Sequence, residues 1–186
     1  MQKEQDKGPP GKARNFLGER RKRPVLFLAT VALVVVLDQV SKLWVRSNLP
    51  QIELLPGFLD LIYVENSGSA FGLLSDQTFF LITISIASLI IILLIFYYLA
   101  PSTTLGIVSL GLILSGAIGN LIDRLRFGYV TDFIDIHIKN IFHWPAFNLA
   151  DSAIVVGTFI FIYSLYQSGL LKKGSYEEKQ RHGARD

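Results

Sequence analysis

Two aspartates, Asp132 and Asp151, lie beside long apolar stretches, where acidic side chains are uncommon. Asp132 follows one apolar stretch at a short distance, and Asp151 immediately precedes the next, so the two can meet across a helix–helix boundary. Two carboxylates that share a site cannot both ionise easily, and one of them keeps a proton. The ionised carboxylate can then take a proton from a water that attacks a carbonyl, while the protonated one polarises the carbonyl oxygen. The pair therefore indicates acid–base hydrolysis.

A second pair of charges, Asp38 and Lys42, is spaced i,i+4 and lies on one helix face. This spacing predicts an ion pair at a membrane boundary, with Lys42 extending to the lipid headgroups. Asn66 and Gly68 belong to the segment Asn66-Ser67-Gly68-Ser69-Ala70-Phe71-Gly72. Its glycines permit a tight turn or a close backbone approach, which alone is a weak signal.

Two further polar clusters lie at the ends of apolar stretches. Asn120, Asp123 and Arg124 fall at i, i+3 and i+4 and share one helix face, which predicts a polar cavity or network. Asn148 precedes Asp151 by three residues, a spacing at which Asn148 can cap a helix and Asp151 can favour its positive end. Capping and a role in a site both remain open for these two residues.

Four apolar stretches are long enough to position these clusters. A membrane span needs about 20 residues at roughly 1.5 Å each, and it must be helical to satisfy its backbone groups in lipid. The predicted spans are about 25–45, 78–100, 103–122 and 153–171. No A-x-A-like cleavage site follows the first span, which we interpret as an uncleaved helix.

The charge distribution predicts the orientation of these spans. Basic tails at 1–23 and 172–186 flank the membrane domain 24–171, and basic flanks stay in the cytoplasm. The longer segments 46–77 and 123–150 are then extracytoplasmic, and their β-branched and aromatic residues predict a small sheet. We therefore expect an all-α membrane protein, a four-transmembrane-helix bundle with a small extracytoplasmic β-sheet.

Composition excludes several classes of protein. Apolar residues make up 51% of the chain and charged residues only 18%, which is too apolar for an ordinary soluble domain. There is no cysteine, so disulfides and thiol nucleophiles are excluded. His137 and His143 lack an H-E-x-x-H pattern, so we expect no metal and no cofactor. Asp135 has the position of a strand-surface residue, and we do not expect it to be catalytic. We interpret the basic ends as orientation signals and expect no nucleic acid partner.

At these residues the chain resembles lipoprotein signal peptidase, also called signal peptidase II. Similar blocks occur in the family's order across roughly residues 25–166. They are Asp38-Gln39-x-Ser41-Lys42, Asn66-x-Gly68-x-Ala70-Phe71-Gly72, Gly119-Asn120-x-x-Asp123-Arg124 with Gly128-x-Val130-x-Asp132-Phe133, and Phe147-Asn148-x-Ala150-Asp151. The chain departs from the family pattern at Ser69, where alanine is usual, and in its long basic N-terminal tail.

The resemblance implies an aspartic endopeptidase of the bacterial cytoplasmic membrane. It would cleave diacylglyceryl-modified prolipoproteins just before the lipidated cysteine and would be inhibited by the cyclic peptide globomycin. Asp132 and Asp151 match the catalytic aspartates of the family. The positions that match site-lining or supporting residues are Asp38, Lys42, Asn66, Gly68, Asn120, Asp123, Arg124 and Asn148. We expect membrane lipids as surroundings and a monomeric enzyme.

Two other classes of protein remain as alternatives. A small transporter or proton-coupled channel would use the same charges to line a path. A transport path needs polar groups near the midplane, whereas the central parts of spans two to four carry no charge. A scaffold that binds membrane partners would leave the clustering of polar residues unexplained.

Overall fold

The computed structural model describes residues 10–68, 77–99, 103–138 and 141–169, with side chains from residue 23 onward. The helices are α1 (Pro10–Asn48), α2 (Thr78–Leu99), α3 (Thr104–Phe127) and α4 (Leu149–Gln167). The strands are β1 (Ile52–Leu55), β2 (Leu59–Asn66), β3 (Val130–Ile138) and β4 (Phe142–His143).

The four helices coincide with the four predicted spans, and each is long and apolar enough to cross a membrane. The term all-α was too narrow, because the chain also forms a four-stranded antiparallel sheet. The ends of three helices also differ from the prediction. Helix α1 runs from Pro10 to Asn48, so it extends beyond 25–45 at both ends and includes part of the predicted tail 1–23. Helix α3 continues to Phe127, where Gly128 in the left-handed region (φ 83°) donates its N–H to Arg124 O. Helix α4 already begins at Leu149.

Helix α3 is the centre of the bundle. Of its apolar span 61% is buried, against 22% or less in the other three helices. Its contacts with α4 depend on small residues: a Cβ added at Gly116 would lie 2.3 Å from Ala150 O. The buried apolar core consists of Phe27, Ile92, Ile107, Leu110 and Leu114. Apolar residues on the outer helix faces remain exposed, as expected for surfaces that contact lipid.

The sheet has the order β1-β2-β3-β4, and its central pair positions the site. In the β2–β3 register, Val64 pairs with Asp132 and Asn66 with Val130. Phe147, which precedes α4, exchanges hydrogen bonds of 2.8 and 3.0 Å with the backbone of Ile134 in β3. The start of α4 is therefore held beside β3, close to Asp132.

Candidate active site

Asp132 lies in the middle of the polar cluster, only 2% exposed. Its Oδ1 accepts a hydrogen bond from Asn148 Nδ2 (2.7 Å), and its Oδ2 accepts one from Asn66 Nδ2 (2.8 Å). The pKa of Asp132 is raised to about 6. Burial raises it most and the nearby charge of Asp151 also raises it, while the two amide hydrogen bonds and Lys42 lower it. This carboxyl group can therefore hold or release a proton near neutral pH.

Asp151 lies in the first turn of α4 and completes a capping box with Asn148. Asn148 Oδ1 accepts from Asp151 N (2.9 Å), and Asp151 Oδ2 accepts from Asn148 N (3.3 Å). The predicted capping is thus confirmed for both residues. The second carboxylate oxygen, Oδ1, accepts a hydrogen bond from Asn120 Nδ2 (2.7 Å). Capping accounts for only part of the contacts of Asp151.

Asn148 connects the two aspartates. Its side-chain amide donates to Asp132 and also to Asn120 Oδ1 (3.2 Å), while its backbone N–H donates to Asp151. Both aspartates line one cavity of about 810 Å³. The rest of the lining is largely apolar and includes Val64, Trp144, Pro145, Ile154, Val155 and Val156. A cleft with two carboxyl groups at one wall can bind an apolar chain and activate a water beside it.

The Asp38–Lys42 pair lies inside the bundle, contrary to the predicted position of Lys42 at the headgroups. Both side chains are fully buried, with 2.9 Å between Lys42 Nζ and Asp38 Oδ2. Lys42 Nζ also donates to Asn120 Oδ1 (2.9 Å) and lies 3.3 Å from Asp123 Oδ2. Asp38 Oδ1 accepts from Ala150 N in α4 (3.0 Å). The buried Lys42 ammonium group thus has carboxylate partners. It also fixes the side chain of Asn120, which contacts Asp151.

Sequence reasoning missed Arg46 and Thr131. Arg46 Nη1 donates to Thr131 Oγ1 (2.8 Å) and lies 3.4 Å from Asp123 Oδ1, while Thr131 N donates to Asp123 Oδ2 (3.0 Å). Arg46 follows Lys42 by four residues, as Lys42 follows Asp38, and this spacing was a signal that all three share one helix face. These contacts join α1 and α3 to the start of β3.

Arg124 is half-buried and lines the cavity. Its Nη2 donates to the backbone oxygen of Gly68 (3.3 Å), and Gly68 N in turn donates to Asn66 Oδ1 (3.0 Å). The predicted turn at Asn66 and Gly68 therefore borders the site. The remainder of that motif, 69–72, lies outside the described residues.

Asp135 is buried rather than on the strand surface, with 6% exposure. It pairs in the β2–β3 register with Asp60, and both histidines considered above lie beside it. Asp135 does not line the cavity that contains Asp132 and Asp151. The two acidic residues of β3 therefore belong to different clusters.

Comparisons with known proteins identify the family and the fold of this chain. A family model described as Signal peptidase (SPase) II matches residues 30–167. The lipoprotein signal peptidase of Moorella thermoacetica is 48% identical over 142 residues, which cover 75% of this chain and 91% of that protein. The lipoprotein signal peptidase of Syntrophotalea carbinolica is 44% identical over 157 residues, covering 80% and 94%. A bacterial membrane enzyme solved by the in meso method at 2.3 Å resolution has a TM-score of 0.69 at 33% identity, covering 76% of this chain and 87% of that one.

Proposed function

This chain belongs to the signal peptidase II family, and we propose that Asp132 and Asp151 are the catalytic pair with which it removes signal peptides from lipoproteins. It is a multi-pass membrane peptidase. The observation that carries the assignment of the pair is the position of Asn148. Its side-chain amide contacts one carboxylate and its backbone amide the other, at one wall of one cavity.

The proposed reaction begins with one proton shared by the two carboxyl groups and a water between them. The ionised carboxylate takes a proton from the water, and the resulting hydroxide oxygen bonds to the scissile carbonyl carbon. The protonated carboxyl group gives its proton to the carbonyl oxygen. When the tetrahedral intermediate collapses, the C–N bond breaks and the leaving nitrogen takes the proton that the pair received from the water. As the C=O bond re-forms, one hydroxyl group of the intermediate gives its proton to the other carboxylate, so the pair again holds a single proton. These steps use protein side chains and water.

The surroundings of the pair support this chemistry. Burial of Asp132 raises its pKa to about 6, so the proton that the mechanism requires is retained closer to neutral pH than on an ordinary aspartate. Asn120 and Asn148 fix the two carboxylates by hydrogen bonds of 2.7 Å each. Arg124 supplies a positive charge on the same cavity wall, suited to an oxyanion or a polar part of the substrate.

The apolar lining of the cavity suits a lipid-modified substrate. We propose that the peptide enters from the membrane with its diacylglyceryl group against apolar residues such as Val155 and Ile154, and that cleavage falls just before the lipidated cysteine. The proposed location is the bacterial cytoplasmic membrane, with both termini in the cytoplasm and the active site toward the opposite face. Membrane lipids would contact the exposed helix faces of a monomer, and globomycin would compete for the cavity.

Cleavage of a diacylglyceryl-modified precursor by purified protein in lipid tests this function. Asp132→Asn and Asp151→Asn should each reduce the rate at least ~1,000-fold, because each removes one proton-transfer group of a pair. Glu53→Gln, an exposed carboxylate in β1, is the matched control and should keep the wild-type rate. Thermal unfolding of each variant shows whether it remains folded. Substantial cleavage by a folded aspartate variant would remove that residue from the pair.

A further inference from the structure

A second cluster of titratable side chains lies on the sheet, apart from the cavity. Asp60 in β2 and Asp135 in β3 are register partners, and His137 in β3 is the register partner of His143 in β4. Because side chains two residues apart point to the same face of a strand, Asp135 and His137 lie on one face. Three neighbouring strands thus contribute two carboxylates and two imidazoles to one place.

The side chains of this cluster approach one another closely. Asp135 Oδ1 lies 3.0 Å from His143 Nε2, and Asp135 Oδ2 lies 3.4 Å from His137 Nδ1. His137 Nε2 lies 3.9 Å from Asp60 Oδ2. Asp60, Asp135 and His137 can each present one ligand atom within 4.8 Å of the other two.

Several buried polar atoms in the cluster lack hydrogen-bond partners among residues 23–68, 77–99, 103–138 and 141–169. They are Asp60 Oδ1, Asp135 Oδ1 and His137 Nδ1. The short contact between Asp135 Oδ1 and His143 Nε2 does not have hydrogen-bond geometry, although the Asp135 side chain is only 9% exposed. Buried polar atoms without partners are costly, so a bound ligand that contacts these atoms would stabilise the cluster.

We propose that Asp60, Asp135, His137 and His143 bind a zinc-class divalent cation. A mixture of two carboxylate oxygens and two imidazole nitrogens suits Zn²⁺ better than Mg²⁺ or Ca²⁺, which prefer oxygen ligands. Ligands about 2.0–2.1 Å from a tetrahedral centre lie roughly 3.3 Å apart. One ligand atom each of Asp60, Asp135 and His137 already lies within 4.8 Å of the other two, and His143 Nε2, 3.0 Å from Asp135 Oδ1, can supply the fourth ligand. Two aspartates and two neutral histidines carry a formal charge of −2, which the cation balances.

This cation stabilises the rim of the cavity rather than taking part in cleavage. It joins β4 to β3 and β2, and β4 leads directly into 144–147, which line the cavity. Trp144 N already donates to Ile136 O (2.9 Å), and Phe147 bonds to Ile134. The segment between β4 and α4 is thus already held at Phe147, and a cation bound to His143 would fix its first end as well. The proposal does not depend on the assignment of the catalytic pair.

The test is calorimetric titration of ZnCl₂ into the full-length protein, free of any polyhistidine tag and treated beforehand with a chelator. We expect one Zn²⁺ per chain and a thermal unfolding midpoint raised by roughly 5 °C at zinc concentrations well above Kd, with no rise in MgCl₂. Asp135→Asn and His143→Gln should weaken binding at least ~100-fold, since loss of a group that only supports a ligand already costs about 10–100-fold. Glu65→Gln, an exposed carboxylate elsewhere in β2, should bind zinc as the wild type does.

His143→Gln guards against loss of folding, because the His143 side chain is 64% exposed and its replacement disturbs no core packing. Absence of zinc binding by the wild type would overturn the proposal and leave protonated histidines as the partners of the carboxylates. Binding of equal strength in His143→Gln, Asp135→Asn and Glu65→Gln would also overturn it, because the zinc would then lie elsewhere.

Discussion

Asn148 and Asp132 are joined by a 2.7 Å hydrogen bond from Nδ2 to Oδ1, although one residue caps α4 and the other lies in β3. Asn148 is fully buried, and its Oδ1 accepts the capping hydrogen bond from Asp151 N at the same time. The Asn148 side chain therefore caps α4 with its oxygen and orients the Asp132 carboxylate with its nitrogen. The two tasks can be separated by substitution.

Asn148→Ser should retain the folded helix but lose activity. Serine is a good N-cap residue, so the cap survives, while the amide that contacts Asp132 and Asn120 is lost. We expect cleavage to fall at least ~10-fold, with unfolding free energy within ~1–2 kcal/mol of wild type. Asn148→Ala loses the cap as well and should cost a further ~1 kcal/mol. Wild-type cleavage by Asn148→Ser would show that the amide does not orient the pair.

Lys42→Met should destabilise the bundle strongly. It removes the cation that lies 2.9 Å from Asp38 and 3.3 Å from Asp123, leaving buried carboxylates without their partner. Breaking a buried pair in this way costs about 3–5 kcal/mol. Arg46→Met is the control: the Arg46 side chain is 14% exposed and has one carboxylate partner, whereas Lys42 is fully buried and has two, so the loss should be smaller. Thermal unfolding in detergent measures both, and equal midpoints would contradict the network described here.

The raised pKa of Asp132 predicts a pH-dependent stability. Folding favours the protonated form, so this stabilisation is complete below the ordinary pKa of 3.8 and is lost as pH rises through the folded value of about 6. Between about pH 3.5 and 7.5, wild type should lose roughly 3 kcal/mol relative to Asp132→Asn, at about 1.4 kcal/mol per pKa unit. Parallel unfolding curves of the two proteins over this range would show that Asp132 titrates normally.

Gly116→Ala should impair both stability and cleavage. The new Cβ would meet Ala150 O at 2.3 Å, and since that atom belongs to the backbone, α3 and α4 must separate. Overpacking of this kind costs about 1–3 kcal/mol, and the separation also strains the hydrogen bond between Asn120 and Asp151. Gly111→Ala is the control, because its Cβ would lie no closer than 3.0 Å to its neighbours, so a shift of a few tenths of an ångström suffices. An unfolding midpoint for Gly116→Ala at or above that of Gly111→Ala would contradict the packing argument.

Arg124→Ala should reduce cleavage without unfolding the protein. Arg124 donates to Gly68 O and lines the cavity, so its loss removes a charge at the site and loosens the turn beside Asn66. We expect kcat/KM to fall about 10–100-fold, with unfolding free energy within ~1 kcal/mol of wild type. Arg124→Lys keeps the charge and should recover part of the activity. Wild-type turnover by Arg124→Ala would exclude a role in the site.

The four helices and the approach of Asp132 to Asp151 were accessible from sequence, because apolar length predicts spans and both aspartates adjoin spans. The location of Lys42 was not. Its i,i+4 spacing from Asp38 identifies a shared helix face but not whether that face contacts lipid or another helix. The end of α3 was also misplaced: charges at Asp123 and Arg124 look like the end of a span, yet partners on α1 and β3 allow the helix to continue.

The cluster around Asp135 could not be predicted from the sequence for a different reason. Asp60 and Asp135 are opposite each other only in the observed register, and a shift of one residue would turn either side chain to the other face. Sequence alone does not specify that register, since the strands belong to segments separated by two helices. The contacts of His143 with Asp135 depend in addition on the short β4 strand.

The two aspartates and the groups that surround them come from α1, β2, α3, β3 and α4, so the site draws on most elements of the described chain. Asp151 reaches its partners only after the last helix has docked against α3. A polypeptide whose final segment has not inserted would therefore lack the second carboxylate of the proposed pair and should not cleave. Insertion of the last helix is then the step that completes the proposed pair.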